Sequence, residues 1–139
     1  MSLFNVFNVS GSAVSAQSQR LNIVASNLSN ADTVAGPDGK PYKARQVVFQ
    51  TLLMGGAGQP AAAAGVKVVE ITESQAEGRR VFDPKHKSAD TEGYVTYSNV
   101  NTVEEMVNMM SASRSYQNNI EVMNTARSLL LKTLQIGQS

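Results

Sequence analysis

Phe7, Val14, Leu21 and Leu28 recur every seven residues near the start of the chain, and Leu3, Ser10, Gln17 and Val24 fill a second position of the same repeat. That spacing draws one narrow stripe along a helix, as in a coiled-coil seam, and predicts a helix over 1–31. About 28 helical residues would span about 40 Å. Near the other end, Met106, Met109, Ser113, Tyr116, Ile120, Met123, Arg127, Leu130 and Leu134 step by three and four, which predicts a second helix over 102–136. Its start is marked twice: Thr102 and Glu105 have capping-box spacing, and so do Asn101 and Glu104. Both glutamates would sit in the first turn, where the helix dipole favours anions. Gly137 follows the last stripe residue and is a natural stop, with Lys132 near that end. The methionines are adaptable packers, suited to ordinary core or to a surface meeting several neighbours.

Between the helices the pattern changes to short alternating runs and turn residues. VAGPDGKPY at 34–42 carries a Pro-Asp-Gly turn with Pro37 and Gly39 correctly placed. Strands are predicted over 46–53, 66–72, 80–83 and 93–97, the third stopped by Pro84. The Gly- and Ala-rich stretch 55–65 reads as a flexible loop. The expected fold is α+β and mainly α. The two end helices pair as an antiparallel, coiled-coil-like hairpin beside a small antiparallel β patch. The chain divides into 1–33, 34–100 and 101–139, forming a single structural unit.

The polarity of the first helix is unusual. Arg20 is its only charged side chain before Asp32, and the positions off the stripe are Ser, Asn, Gln, Ala and Gly11. Surface helices ordinarily carry charges opposite their core face. Neutral polar side chains can be buried and hydrogen-bonded without desolvating a charge, so more than one face of this helix is expected to be covered in the working state. The plainer alternative is a weak helix lying on its own domain. Ser and Asn are poor helix formers, so the isolated segment should be only weakly helical.

Composition narrows the function. The chain has 139 residues and a net charge of +1, one domain's worth without the basic footprint of a nucleic-acid binder. Cysteine is absent, so neither a disulfide nor a thiolate metal site is expected. No apolar run is long enough for a membrane span. The N-terminal segment lacks the basic region and continuous apolar block of a cleaved signal, and none is expected.

Candidate chemistry is sparse. His86 is the only histidine, and it lies in the polar loop DPKHKSAD between Lys85 and Lys87 without an assignable nucleophile or orienting partner. Asp83 and Asp90 flank that loop as turn and capping residues. The GGAG at 55–58 lacks the Lys-Ser/Thr of a phosphate loop. Arg79-Arg80 reads as a solvated strand edge, and the glycosylation triplets at Asn8 and Asn27 fall on the first helix. No catalytic, cofactor or metal site is expected.

LNIVASNLSNADT at 21–33 resembles the N-terminal signature of bacterial flagellar rod and hook proteins, commonly close to A-x-N-L-A-N-x-x-T. Ala25, Asn27, Leu28, Asn30 and Thr33 match it, and Ser29 stands where alanine is common. PDGKPYKARQVVFQ at 37–50 is similar to the proximal-rod branch of that family. GYVTYSNVNTVEEMVNMMSASRSYQNNIEVMNTA at 93–126 and LLLKTLQIG at 129–137 resemble its C-terminal signature. The short middle also fits that branch, because hook and distal-rod relatives carry larger insertions.

The resemblance implies a structural subunit of the rod, the shaft that carries torque from rotor to hook around an export channel. Its partners would be copies of itself, other rod proteins, the rotor-ring adaptor, the surrounding ring and the flagellar type III export apparatus. The chain would lie in the basal body, crossing the periplasm, exported without a cleaved signal. Phe7, Val14, Leu21 and Leu28 would pack on Met109, Tyr116, Met123 and Leu130 within one subunit, with Ile120 and Leu134 on the same stripe. Asn27, Asn30 and Thr33 would fix the exit from the first helix and contact an adjacent subunit. Residues 37–65 would bridge to neighbours or the ring. Two other readings of the pattern stand beside this one: a different coiled-coil assembly or secretion-apparatus protein, and a small enzyme or ligand-binding domain with a helical hairpin.

Overall fold

A computed structural model describes residues 3–54 and 63–137. The elements run α1 (Leu3–Ser29), β1 (Arg45–Met54), β2 (Ala63–Glu73), β3 (Arg80–Phe82), β4 (Tyr94–Thr96) and α2 (Thr102–Gly137).

The two helices pair antiparallel. Arg20 Nη2 donates to Asn108 Oδ1 at 3.0 Å, which ties the later turns of α1 to the first turns of α2. At the opposite end, Leu3 and Val6 line one groove with Val122, Ala126 and Leu129. α2 has 36 residues against 27 in α1. Its last turns therefore run past the described start of α1, with Leu129, Leu131 and Leu134 more than half exposed.

The start of α2 selects one of the two capping registers. Asn101 is the cap: its Oδ1 accepts from the N–H groups of Val103 at 3.1 Å and Glu104 at 3.4 Å. The buried line on α2 differs from the expected stripe. Glu105, Ala112 and Ala126 are its buried residues, and Met109, Tyr116, Ile120, Met123 and Leu130 are only half-buried beside them. Met106, Arg127 and Leu134 are exposed. On α1 the buried residues are Ser10, Ala16, Val24 and Asn27, whereas Phe7, Val14, Leu21 and Leu28 are half-buried. Ser10, Ala16, Ala112 and Ala126 among the buried residues are small, while the larger apolar side chains of both stripes are only half-buried or exposed.

The β region is two separate ladders rather than one patch. β1 pairs antiparallel with β2, Arg45 opposite Glu73 and Met54 opposite Ala63, with a bulge at Val48/Phe49. β2 begins at Ala63, so the strand takes up the last residues of the stretch read as loop. Residues 55–62 of that loop lie outside the described residues. This hairpin lies on α1: Val66 N–H donates to Ser12 Oγ at 3.1 Å, and Ser12 Oγ donates to Val9 O at 2.7 Å. Gly65 permits the approach, because a Cβ there would meet Ser12 Oγ at 2.6 Å and collide with Met54. The Pro37-Asp38 turn closes as expected, with Gly39 N–H donating to Gly36 O at 2.9 Å and Gly39 at φ 71°.

β3 pairs with β4 through Arg80–Thr96 and Phe82–Tyr94, whose rings meet edge-on at 5.3 Å. The strand leaving α1 joins this end of the molecule. Ala35 N–H donates to Thr96 O at 2.8 Å, Ser98 N–H to Thr33 O at 3.1 Å, and Ser98 Oγ to Ala31 O at 2.6 Å. The exit of α1 and the entry to α2 are thus stitched to each other.

Candidate assembly surface

The tightest local structure is at the end of α1. Asn27 is completely buried. Its Nδ2 donates to Arg45 O at 2.8 Å, and its Oδ1 accepts from Arg45 N–H at 2.9 Å and from Tyr42 Oη at 3.0 Å. One carboxamide therefore satisfies both backbone groups of Arg45, as a neighbouring strand would. Asn30 and Thr33 work nearer to hand. Asn30 Nδ2 donates to Ser26 O and Thr33 Oγ1 to Asn30 O, both at 2.8 Å, each adding a second bond to a carbonyl that already accepts a backbone N–H.

These three motif residues hold the exit from α1. Asn27 is committed inside its own subunit, so the contact with an adjacent subunit expected of it is not available to its side chain. Asn30 and Thr33 are half-buried and Ala25 is exposed. Leu28, shared by motif and seam, is half-buried. Asn99, absent from the sequence reading, does a comparable job on the other side. Its Oδ1 accepts from Ala44 N–H at 2.7 Å and its Nδ2 donates to Ala76 O at 2.9 Å. No local pattern marks it, because its partners lie 55 and 23 residues away.

The polar loops are structural. Asp90 Oδ1 accepts from Tyr94 N–H at 2.8 Å and Glu92 N–H at 3.0 Å, while Oδ2 meets Arg80 Nη2 at 3.0 Å. The Tyr94 bond is the main cause that lowers its carboxyl pKa; partial burial works against it, and the Glu92 bond and Arg80 assist. Asp83 Oδ1 accepts from Lys85 N–H at 3.2 Å, and His86 Nδ1 from Ser88 N–H at 3.1 Å. Arg79 stacks over Tyr97 and faces Asp32 at 3.7 Å. Among the described residues, no group of His, Asp and Glu is placed to hold a metal ion, and no helix is long and apolar enough to cross a membrane.

What the molecule presents instead is surface: the leucine-rich end of α2, and on the hairpin Val48, Leu53, Val69 and Ile71. A neutral polar line, Asn8, Ser15, Asn22 and Ser29, runs exposed along α1 every seven residues.

Two family models match, one described as flagella basal body rod protein over residues 7–37 and one as flagellar basal body rod FlgEFG protein C-terminal over 91–136. The matches coincide with α1 and its exit, and with β4 and α2. A flagellar basal-body rod protein FlgC from Escherichia coli O6:H1 is 57% identical over 138 residues, covering 99% of this chain and 100% of the relative. FlgC proteins of Salmonella typhimurium and Yersinia enterocolitica are each 56% identical over the same shares. The chain belongs to the FlgC family of flagellar basal-body rod proteins. The match runs through the middle region as well as the two helices, since the relative is covered to its full length.

Proposed function

We propose that the chain is a structural subunit of the flagellar proximal rod, polymerising helically into the shaft that carries torque from rotor to hook around a central export channel. The observation that carries this is full-length identity with FlgC relatives, joined to a helix pair whose apolar end is left exposed. Where different surfaces of successive subunits meet, the contacts are heterologous, and they propagate into an open helix when the rotation between subunits does not close a ring. Residues 1–33 and 101–139 form the axial core of this reading, with 34–100 between them. Phe7, Val14, Leu21 and Leu28 pair with Met109, Tyr116, Ile120, Met123 and Leu130, and Leu134 extends the stripe toward a neighbour. Residues 37–65 reach neighbouring subunits or the surrounding ring.

Its partners are copies of itself, other rod proteins, the rotor-ring adaptor and the export apparatus. It works in the basal body, in the rod crossing the periplasm, and the reading assigns it no catalytic step.

The test is complementation of a bacterium lacking its own FlgC, followed by isolation of basal bodies. The chain should restore motility and be found in the purified rods. Its absence from rods while the cell makes it would sink the proposal. Leu21→Asp should leave synthesis intact and abolish rods. Normal rods from that variant would refute the helix pairing.

A further inference from the structure

A cleft of about 400 Å³ opens between α1, β1 and α2, next to the Arg45 backbone that Asn27 holds. Its walls are Ile23, Val24, Val47 and Phe49, and its polar groups come from Arg20, Arg45, Gln46, Glu105 and Asn108, with neither carboxamide hydrogen-bonded to Glu105 Oε2. Glu105 is 7% exposed, and its Oε2 is buried without a hydrogen-bond partner. A buried carboxylate oxygen with no donor is costly to keep, and a subunit that works alone would gain by replacing it.

The charge around it limits what can supply the donor. Arg20 is committed to Asn108 at 3.0 Å, and Arg45 faces Glu73 at 3.5 Å. A further cation would enter beside two guanidinium groups. A carboxylate would meet Glu105. A carboxamide avoids both penalties: its NH2 can donate to Oε2 while its oxygen accepts from a guanidinium. The exposed line of α1 offers such groups without charge at Asn8 and Asn22, with Gln19 exposed beside it, and α1 is the part of the chain that matches the general rod-protein model.

We infer that the cleft receives an Asn or Gln side chain from the N-terminal helix of an adjacent rod subunit, with Glu105 as its buried acceptor. The inference rests on the rod reading. It gives the uncharged face of α1 a purpose: each helix offers neutral donors outward, and each α1–β1–α2 cleft takes one in.

The test places a photoreactive phenylalanine analogue at Phe49, which lines the cleft, in the full chain assembled in cells. Basal bodies are isolated after irradiation and the crosslinked peptides identified by mass spectrometry. Crosslinks into the N-terminal helix of a rod subunit are expected. Crosslinks into a C-terminal helix or a non-rod protein, or none in rods that contain the chain, would overturn the inference and leave the rod reading standing. A chain missing from basal bodies altogether is the failure of the rod reading instead. Glu105→Leu gives an independent readout. Cellular levels of the subunit should be unchanged and completed rods should fall about tenfold or more, the loss expected when one partner of a buried polar pair is removed at an interface. Rods at normal number would overturn the inference.

Discussion

Asn27 shows how one side chain can stand in for a strand. Its amide occupies both backbone groups of Arg45, 18 residues further on, with no charge placed in a fully buried site. Asn27→Ala leaves the Arg45 N–H and C=O and the Tyr42 hydroxyl without this partner, at about 1–3 kcal/mol for each group that water cannot reach. Asn27→Asp keeps the acceptor but removes the donor to Arg45 O and buries a charge. Asn27→Ala should lose hydrogen-exchange protection at the Arg45 amide, whereas Asn27→Asp, which keeps the acceptor for that N–H, should retain more of it; unchanged protection in the Ala variant would show that Asn27 is not what holds β1 to α1. Asp90 governs the other ladder. Its folded pKa lies below the ordinary 3.8, so its contribution is fully present above that value and is lost as pH falls through the lower, folded one. The protection factor of the Tyr94 amide, its exchange measured against the intrinsic rate at each pH, should therefore fall as pH drops through the folded pKa, and Asp90→Asn should remove that fall. The sequence marked Asp90 as a turn residue and Asn27 through its motif. It could not say what Asn27 bonds to, because Arg45 has no local relation to it. Asn99 escaped notice for the same reason.

At the scale of elements, periodicity located both helices to within a few residues, and its failure was one of rotation. Size-weighted reading of α2 chose Met106 and Leu134, which are exposed, and passed over Ala112, which is completely buried. An apolar stripe marks the broad face that repels water, whereas closest approach is decided by which side chains are small enough. Ala112→Leu should accordingly be the more damaging change in the helix pair, costing about 1–3 kcal/mol through overpacking. Ile120 is half-buried, so Ile120→Ala should cost less than the roughly 2–5 kcal/mol of a fully buried site. Denaturant midpoints of the two variants check the order, and a milder effect at Ala112 would mean that the helices are not in close contact there. The split of the strands into two ladders was not legible either. Each strand has ordinary composition, and the partition depends on Gly65 bringing β2 onto Ser12 while the α1 exit pairs with the β4 end.

The whole molecule is short of interior. Among the described residues the buried apolar ones are alanines with Val24 and Val95, while many larger apolar side chains lie outside, among them Leu53, Phe82, Met110 and Leu131. A chain that buries so little large apolar surface has little to set against the entropy of ordering two long helices, and α1 is built largely from weak helix formers. Neighbours in a rod would supply the missing burial, which couples the ordering of the helices to assembly. The two ladders have their own side-chain anchors at Asn27, Asn99 and Asp90, so they should persist further into dilution than the helix ends do. Limited proteolysis of the dilute full-length subunit, followed with circular dichroism, separates the possibilities. If cuts come first in α1 and in the overhanging turns of α2, and helicity is far below that of two complete helices, the ends order on assembly. A strongly helical monomer with resistant ends would mean that the small-residue seam is sufficient alone, and coupled folding would have to be abandoned. The exposed leucines would then act only as adhesive between finished subunits, a role that Leu131→Asp would abolish without changing the helicity of the monomer.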